Sequence, residues 1–426
     1  MTLSPSSNQG DVTLTVALLS DPHFYAGTGT GEPNASWLQV VSAEGPKFKR
    51  RDNPWASLLA LVKNHGLTAD VLLCPGDITT YADPVGLHVA WKCLVTLGDE
   101  LKASLTASAT GNHDVTSRAL GSGKNVVRDL NDAADLFENL KQLEPAYPVH
   151  ISTIPPAHAH ERRVHYFGAD YVLVDNDPRY RLVVFNSCAR HNAVPVEYER
   201  GRIAESALSW LDDALERSDG AQTKMNLFVC HHHPIQHEDH HLGSYDFMQN
   251  GQRLLDTLSK HGDWIVFHGH KHHGKLTYAP GGASPPVVFA ASSFGAVVDD
   301  ASLRLRNQFY LIDIVLPSGG GSPLGTVRAW NWYLGSGWKQ SDSTLDGIYT
   351  GCGFGERGHP DKLADAIAQM IPAPTPWANI ISNVPWLRHV TPRDMKSIER
   401  SLLRRHNIVI TSNVDGKYEE AGRKRS

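Results

Sequence analysis

The chain has 426 residues, 41% of them apolar and 20% charged, and a formal net charge of -5 at pH 7. These values exclude a disordered polyampholyte and leave no global attraction to nucleic acid or anionic membranes, so any such contact has to be local. Five scattered cysteines without a CxxC pair speak against a disulfide framework or a zinc finger and point to a reducing, cytoplasmic setting.

The first apolar run, VTLTVALL, has no basic lead and passes directly into Ser20 and Asp21, so it predicts a strand rather than a secretory leader. No run approaches the roughly 18 apolar residues needed to span a bilayer, and no membrane partner is expected. Tyr25 to Pro54 lacks periodicity and predicts a loop or a lid over the site. Helix PWASLLALVKNHG, strand ADVLLCPGDIT, helix VGLHVAWKCLVTLGDEL and strand LTASATGNHDV follow. Then come strand YRLVVFNSCAR, helix ESALSWLDDALERS, strand MNLFVCHHHP, helix MQNGQRLLDTLSKHG and strand DWIVFHGHKHH. This alternation argues for α/β layers, with the polar clusters gathered at the carboxyl ends of neighbouring strands. VVFAASSFG and the pair in NQFYLIDIVLPSGGGSPLGTVRAWNWYL predict strands that complete the sheets.

Beyond residue 340 the character changes. Pro-rich IPAPTPWANIISNVPW separates a short helix in DKLADAIAQM from one in TPRDMKSIERSLLRRHN, which has Thr391 as N-cap and Pro392 at its first position. The expected organisation is a domain over 1–340 and a C-terminal extension over 341–426. From Arg388 onward ten Lys/Arg face five Asp/Glu, an excess that reads as a solvated helix face and a frayed tail, with a nucleic-acid contact as the alternative.

Histidine, at 23 copies, is the outlier of the composition. In order, the strand ends carry D-x-H (Asp21, His23), G-D (Gly76, Asp77), G-N-H-D (Gly111 to Asp114), H-x-P (His232, Pro234) and G-H-x-H (Gly269, His270, His272). Each aspartate or asparagine alone fits a turn or a helix cap, and each histidine alone fits a structural hydrogen bond. The ordered set resembles the calcineurin-like metallophosphoesterase family over roughly residues 14 to 335.

The resemblance implies a four-layer α/β/β/α sandwich and a dinuclear metal site. Asp21, His23, Asp77 and His272 would hold one ion, and Asp77, Asn112, His232 and His270 the other, with Asp77 bridging. His232 takes its place as the histidine two residues before proline, with His231 and His233 on opposite sides of the chain; His268 and His273 would lie nearby. Two cations sharing a carboxylate suit phosphoryl displacement by a metal-held hydroxide. With every donor N or O and no thiolate, manganese, iron or zinc fits and magnesium fits poorly. His113 would act as general acid or stabilise the transition state, and Asp114 would orient its ring.

The expected activity is hydrolysis of phosphoesters, leaning to phosphodiesters because GDIT followed by PVGLHVAWKCL resembles the helix start of cyclic-nucleotide and glycerophosphodiester hydrolases. A phosphomonoesterase or protein phosphatase, a nuclease using the basic tail, and a non-catalytic scaffold are the alternatives. Thr80 and Ala82 depart from the Asp/Asn and Gly that many relatives carry after the second motif.

Overall fold

The computed structural model describes residues 10–26, 36–41, 47–116, 127–191, 199–218, 223–236, 247–282, 284–297 and 305–424. Its first sheet contains β1 (Val12–Leu18), β2 (Val71–Cys74), β3 (Leu105–Ser108) and β4 (Val149–Ile151). The second contains β5 (Tyr171–Val174), β6 (Tyr180–Phe185), β7 (Met225–Val229), β8 (Trp264–His268), β9 (Lys275–Tyr278) and β10 (Val287–Ala290). The chain then returns to the first sheet with β11 (Gln308–Leu316), β12 (Leu324–Tyr333), β13 (Gly337–Gln340) and β14 (Gly353–Phe354). The orders are β13-β12-β11-β1-β2-β3-β4, with β14 beside β12, and β5-β6-β7-β8-β10-β9. β1, β2 and β3 run parallel, as do β6, β7, β8 and β10, so each sheet delivers several strand ends to one edge.

The two sheets pack face to face, and strand alternation sorts their side chains. Leu182 and Val184 of β6 join Leu14 and Val16 of β1 in the layer between the sheets. Val183 and Phe185 point the other way, onto Leu208 and Leu211 of a helix at Glu205–Arg217 and Leu254 of another at Gly251–Lys260. Over the first sheet lie α1 (Pro54–His65) and α2 (Pro84–Glu100), whose Leu58, Val62, Leu87 and Leu94 are buried. The architecture is therefore the α/β/β/α sandwich. In order after α2, the helices are α3 (Glu138–Lys141), α4 (Pro156–Ala169), α5 (Glu205–Arg217), α6 (Gly251–Lys260), α7 (Pro360–Gln369), α8 (Trp377–Asn383) and α9 (Pro392–His406).

Part of the stretch expected to be a loop or lid, residues 27–35 and 42–46, lies outside the described residues. The described part is packed: Leu38 and Val40 are buried, Tyr25 bridges to Gln39, and Ser36 bridges to Ala296. No described helix is long and apolar enough to cross a membrane.

Ile348, Tyr349, Cys352 and Phe354 still belong to the core of the sandwich, beyond the expected break at 340. A separate apolar cluster then runs from Ala364 to Ala421. Its elements follow the order α7, β15 (Thr375–Pro376), α8, a 3-10 turn (Pro385–His389), α9, β16 (Ile408–Ser412) and β17 (Tyr418–Arg423), with the strands paired as β15-β17-β16. A small antiparallel sheet thus closes the helices of this unit. The expected frayed tail is corrected here: β17 pairs with both other strands, and its Ala421 is fully buried in the apolar cluster of this unit.

Candidate metal centre

Five strand ends meet at one edge of the sandwich. β1 leads to Asp21 and His23, β2 to Asp77, β3 to Asn112, β7 to His231, and β8 to His270 and His272. Asp21, His23, Asp77, His270 and His272 all have φ between 50° and 82°, a left-handed backbone that side chains other than glycine adopt at a cost. Strain of this kind, of order 1–3 kcal/mol per residue, persists where surrounding structure over-determines it. Glycines make the close approaches possible. A Cβ on Gly111 would lie 2.2 Å from Asp77 Oδ1, and one on Gly269 would lie 2.3 Å from Asp21 Oδ2.

Two groups of donors result. In one, His23 Nε2 and His272 Nε2 stand 3.2 Å apart, His272 Nε2 is 3.5 Å from Asp21 Oδ1, and His23 Nε2 is 3.9 Å from Asp77 Oδ2. In the other, His231 Nε2 lies 3.3 Å from the same Asp77 oxygen and 3.0 Å from Asn112 Oδ1. His270 Nδ1 completes it, 3.0 Å from Asn112 Oδ1 and 3.2 Å from His231 Nε2. Asp77 thus faces both groups.

The fourth motif brings a second histidine to the cluster beside the expected His232. His231, not His232, brings its ring to Asp77 and Asn112, while its Nδ1 donates to the Pro75 carbonyl at 3.0 Å and so leaves Nε2 facing the cluster. The adjacent His232 turns to Ser187 Oγ, 2.8 Å from its Nδ1. Successive side chains at a strand end point to opposite faces, and the motif is one position longer before its proline than expected. His232 stays beside the cluster: its ring centroid is 4.6 Å from that of His270, its ring nitrogen lies within 4.8 Å of donor atoms of His231 and His270, and it also forms a buried group with Cys188 and His191.

Asp114 also departs from expectation. Its two oxygens accept from Thr79 N at 2.9 Å and Gly111 N at 2.8 Å, so it ties the β2 loop to the β3 loop. Thr80 Oγ1 instead lies 3.3 Å from His113 Nδ1, and the His113 ring packs edge-on against His23 and Tyr81. Thr80, noted in the sequence as a departure, thus meets the ring that Asp114 was expected to orient. His113 N donates to Asp77 Oδ1 at 2.7 Å, which fixes the carboxylate that faces both groups.

Burial works against the charge on Asp77, yet His231, His113 and His23 around it hold it well below the usual carboxylate range. Burial likewise opposes charge on His231, but Asp77 beside it pushes the imidazole up to about 9. His23 goes the other way, brought down to about 4 chiefly by burial. A proton on His231 partly offsets two fully buried carboxylates; dications between these donors would do so completely. Four imidazoles, two carboxylates and an amide oxygen, facing one another at 3.0–3.9 Å, make a donor set that could hold metal ions.

The family model for Calcineurin-like phosphoesterase matches residues 14–274. The chain belongs to this family. It is a family of metal-dependent phosphoester hydrolases. A second model, wHTH-Calcineurin_assc, matches residues 352–404 of this phosphoesterase. No curated protein matches it. Solved structures similar to it include a purple acid phosphatase from yellow lupin (12% identity, TM-score 0.40, 76% of this chain and 52% of that one). The phosphoesterase spans about half the length of the lupin protein, 52% of it. An NAD nucleotidase from Haemophilus influenzae matches at 8% identity and TM-score 0.35, over 78% of this chain and 54% of that one. A phosphopantetheinyl hydrolase from Mycobacterium tuberculosis matches at 12% identity and TM-score 0.32, over 67% and 91%.

Proposed function

We propose that this phosphoesterase hydrolyses phosphodiesters at a dinuclear centre held by Asp21, His23, Asp77, Asn112, His231, His270 and His272. The observation that carries the reading is the meeting of these donors, from five strand ends, in two groups that share Asp77. When bound, two cations would lower the pKa of a water nucleophile and withdraw charge from the phosphate oxygens. Manganese, iron and zinc match the donor chemistry. Asp77, fixed by the His113 amide, holds the two halves of the site in register. His113, with Nδ1 against Thr80, gives a proton to the leaving oxygen from Nε2. Thr80 and Tyr81 beside that ring are uncharged, a setting suited to a diester with one negative charge. The five cysteines are buried free thiols, which supports a cytoplasmic location.

Turnover of bis-p-nitrophenyl phosphate and p-nitrophenyl phosphate, after chelation and reloading with manganese, iron or zinc, tests this. Diester turnover is expected to be faster. Faster monoester turnover overturns the substrate class, and less than one bound metal per chain with no turnover overturns the whole reading. A nucleic-acid substrate is a second reading, supported by the winged helix-turn-helix match at residues 352–404.

A further inference from the structure

Between the body and the C-terminal unit lies a pocket of about 370 Å³ that shares no described residue with the donor cluster. Its walls come from residues 342–351 of the body and from α8, the 3-10 turn, α9 and β17. We propose that this pocket binds a flat aromatic ring carrying a single anionic group, with Arg388 as the partner of the anion.

The walls are built to receive a ring. Trp377 and Tyr418 meet with centroids 4.9 Å apart and planes at 54°, which makes an aromatic corner, and Tyr349 adds a third ring. Ile381, Leu387 and Met395 continue the lining with apolar surface, against which the face of a planar ligand packs. Tyr418 donates its hydroxyl proton to Glu399 Oε1, so it offers the pocket its ring and not that proton. The volume falls near the lower end of the roughly 300–1,000 Å³ of small-molecule sites, which suits a bicyclic ring with a short substituent.

The charge of the ligand follows from the ionic groups. Asp342 is the one carboxylate among the described lining residues, and Lys417 Nζ donates to its Oδ2 at 2.9 Å. Those two charges cancel. Arg388, half-buried in the 3-10 turn, has no carboxylate partner among the described residues. A guanidinium set in an apolar wall without a counter-ion recognises a carboxylate or phosphate through paired, charge-assisted hydrogen bonds. One such cation suits one acidic group and gives no track for a polyanionic strand.

Calorimetry on the full-length, metal-loaded protein tests this with two probe pairs, each a ring with and without its anion: indole-3-acetate against indole-3-ethanol, and adenosine 5′-monophosphate against adenosine. In at least one pair the anionic member should bind about tenfold more tightly than its neutral counterpart. R388A should reduce that advantage to about twofold or less, and R388K should retain about threefold or more. An advantage that R388A removes in the indole pair alone assigns the ligand as an aromatic carboxylate; in the adenosine pair alone, as a mononucleotide. Ala378→Trp, which fills the pocket from an exposed position on α8, should abolish binding of that pair. The proposal is overturned if neither pair shows an advantage that R388A removes, or if binding of the responding pair survives A378W. Should R388A fail to fold, A378W decides alone. A phosphate held at the metal centre keeps its advantage in R388A and so counts against the pocket. Calorimetry reads binding without turnover, so this outcome is independent of whether bis-p-nitrophenyl phosphate is cleaved.

Discussion

The donor-rich edge and the C-terminal unit are built by opposite means. At the edge, five chemistry-bearing residues occupy left-handed backbone, glycines admit contacts that a methyl group would block, and buried polar groups press on one another. In the C-terminal unit, α9 begins on a threonine cap with proline next, ends on Asn407 in the left-handed conformation, and pairs Arg404 and Arg405 with aspartates on α7. The first region spends stability to place donors; the second follows the local rules that make a helix cheap. Substitution of a donor at the edge should therefore have a large functional effect, and loss of the cap on α9 a small, structural one.

The largest effect is expected from Asp77→Asn, which keeps the shape but removes the shared negative charge. Turnover of bis-p-nitrophenyl phosphate should fall by about 10³-fold or more, with loss of bound metal measured on the same sample. An active variant with full metal content would contradict the bridging role.

Next comes the pair His231→Ala and His232→Ala, neighbours in sequence with different partners. The first should reduce turnover by about 10²-fold or more and deplete metal, while the second, acting from behind through Ser187, should cost about tenfold or less. The reverse ranking would sink the assignment of His231.

The smallest effect is expected from Thr391→Ala. The hydroxyl caps α9 by accepting from Asp394 N at 3.1 Å, and its loss should cost about 1 kcal/mol of stability, read as a lower Tm. Turnover of bis-p-nitrophenyl phosphate should stay within about twofold. A large drop in activity would show that the two regions are not separable in this way.

The same contrast explains what could be read from the sequence. Apolar runs buried on both faces, such as VLLC and WIVFH, end abruptly in polar clusters, so the strands and the convergence of Asp21, Asp77 and His270 were legible. His231 was not, because three consecutive histidines precede Pro234 and spacing alone cannot say which one follows the strand face toward Asp77. Asp114 was read as a partner for the adjacent ring, whereas its geometry depends on a loop thirty-five residues away in sequence. Helix α4 went unnoticed because its buried residues, Tyr166, Phe167 and Ala169, crowd into one end and make no stripe. The winged unit escaped because β15 has two residues and α8 seven, both set among prolines that suggest a loop.

The order of strands in the first sheet carries a consequence for biosynthesis. β1, which delivers Asp21 and His23, is flanked on one side by β2 and on the other by β11, a strand some three hundred positions later. A nascent polypeptide leaving the ribosome holds the earliest donors in an unfinished sheet until Gln308–Leu316 has emerged. Asp21 and His23 then reach their final places beside the later donors only once β11 has paired with β1.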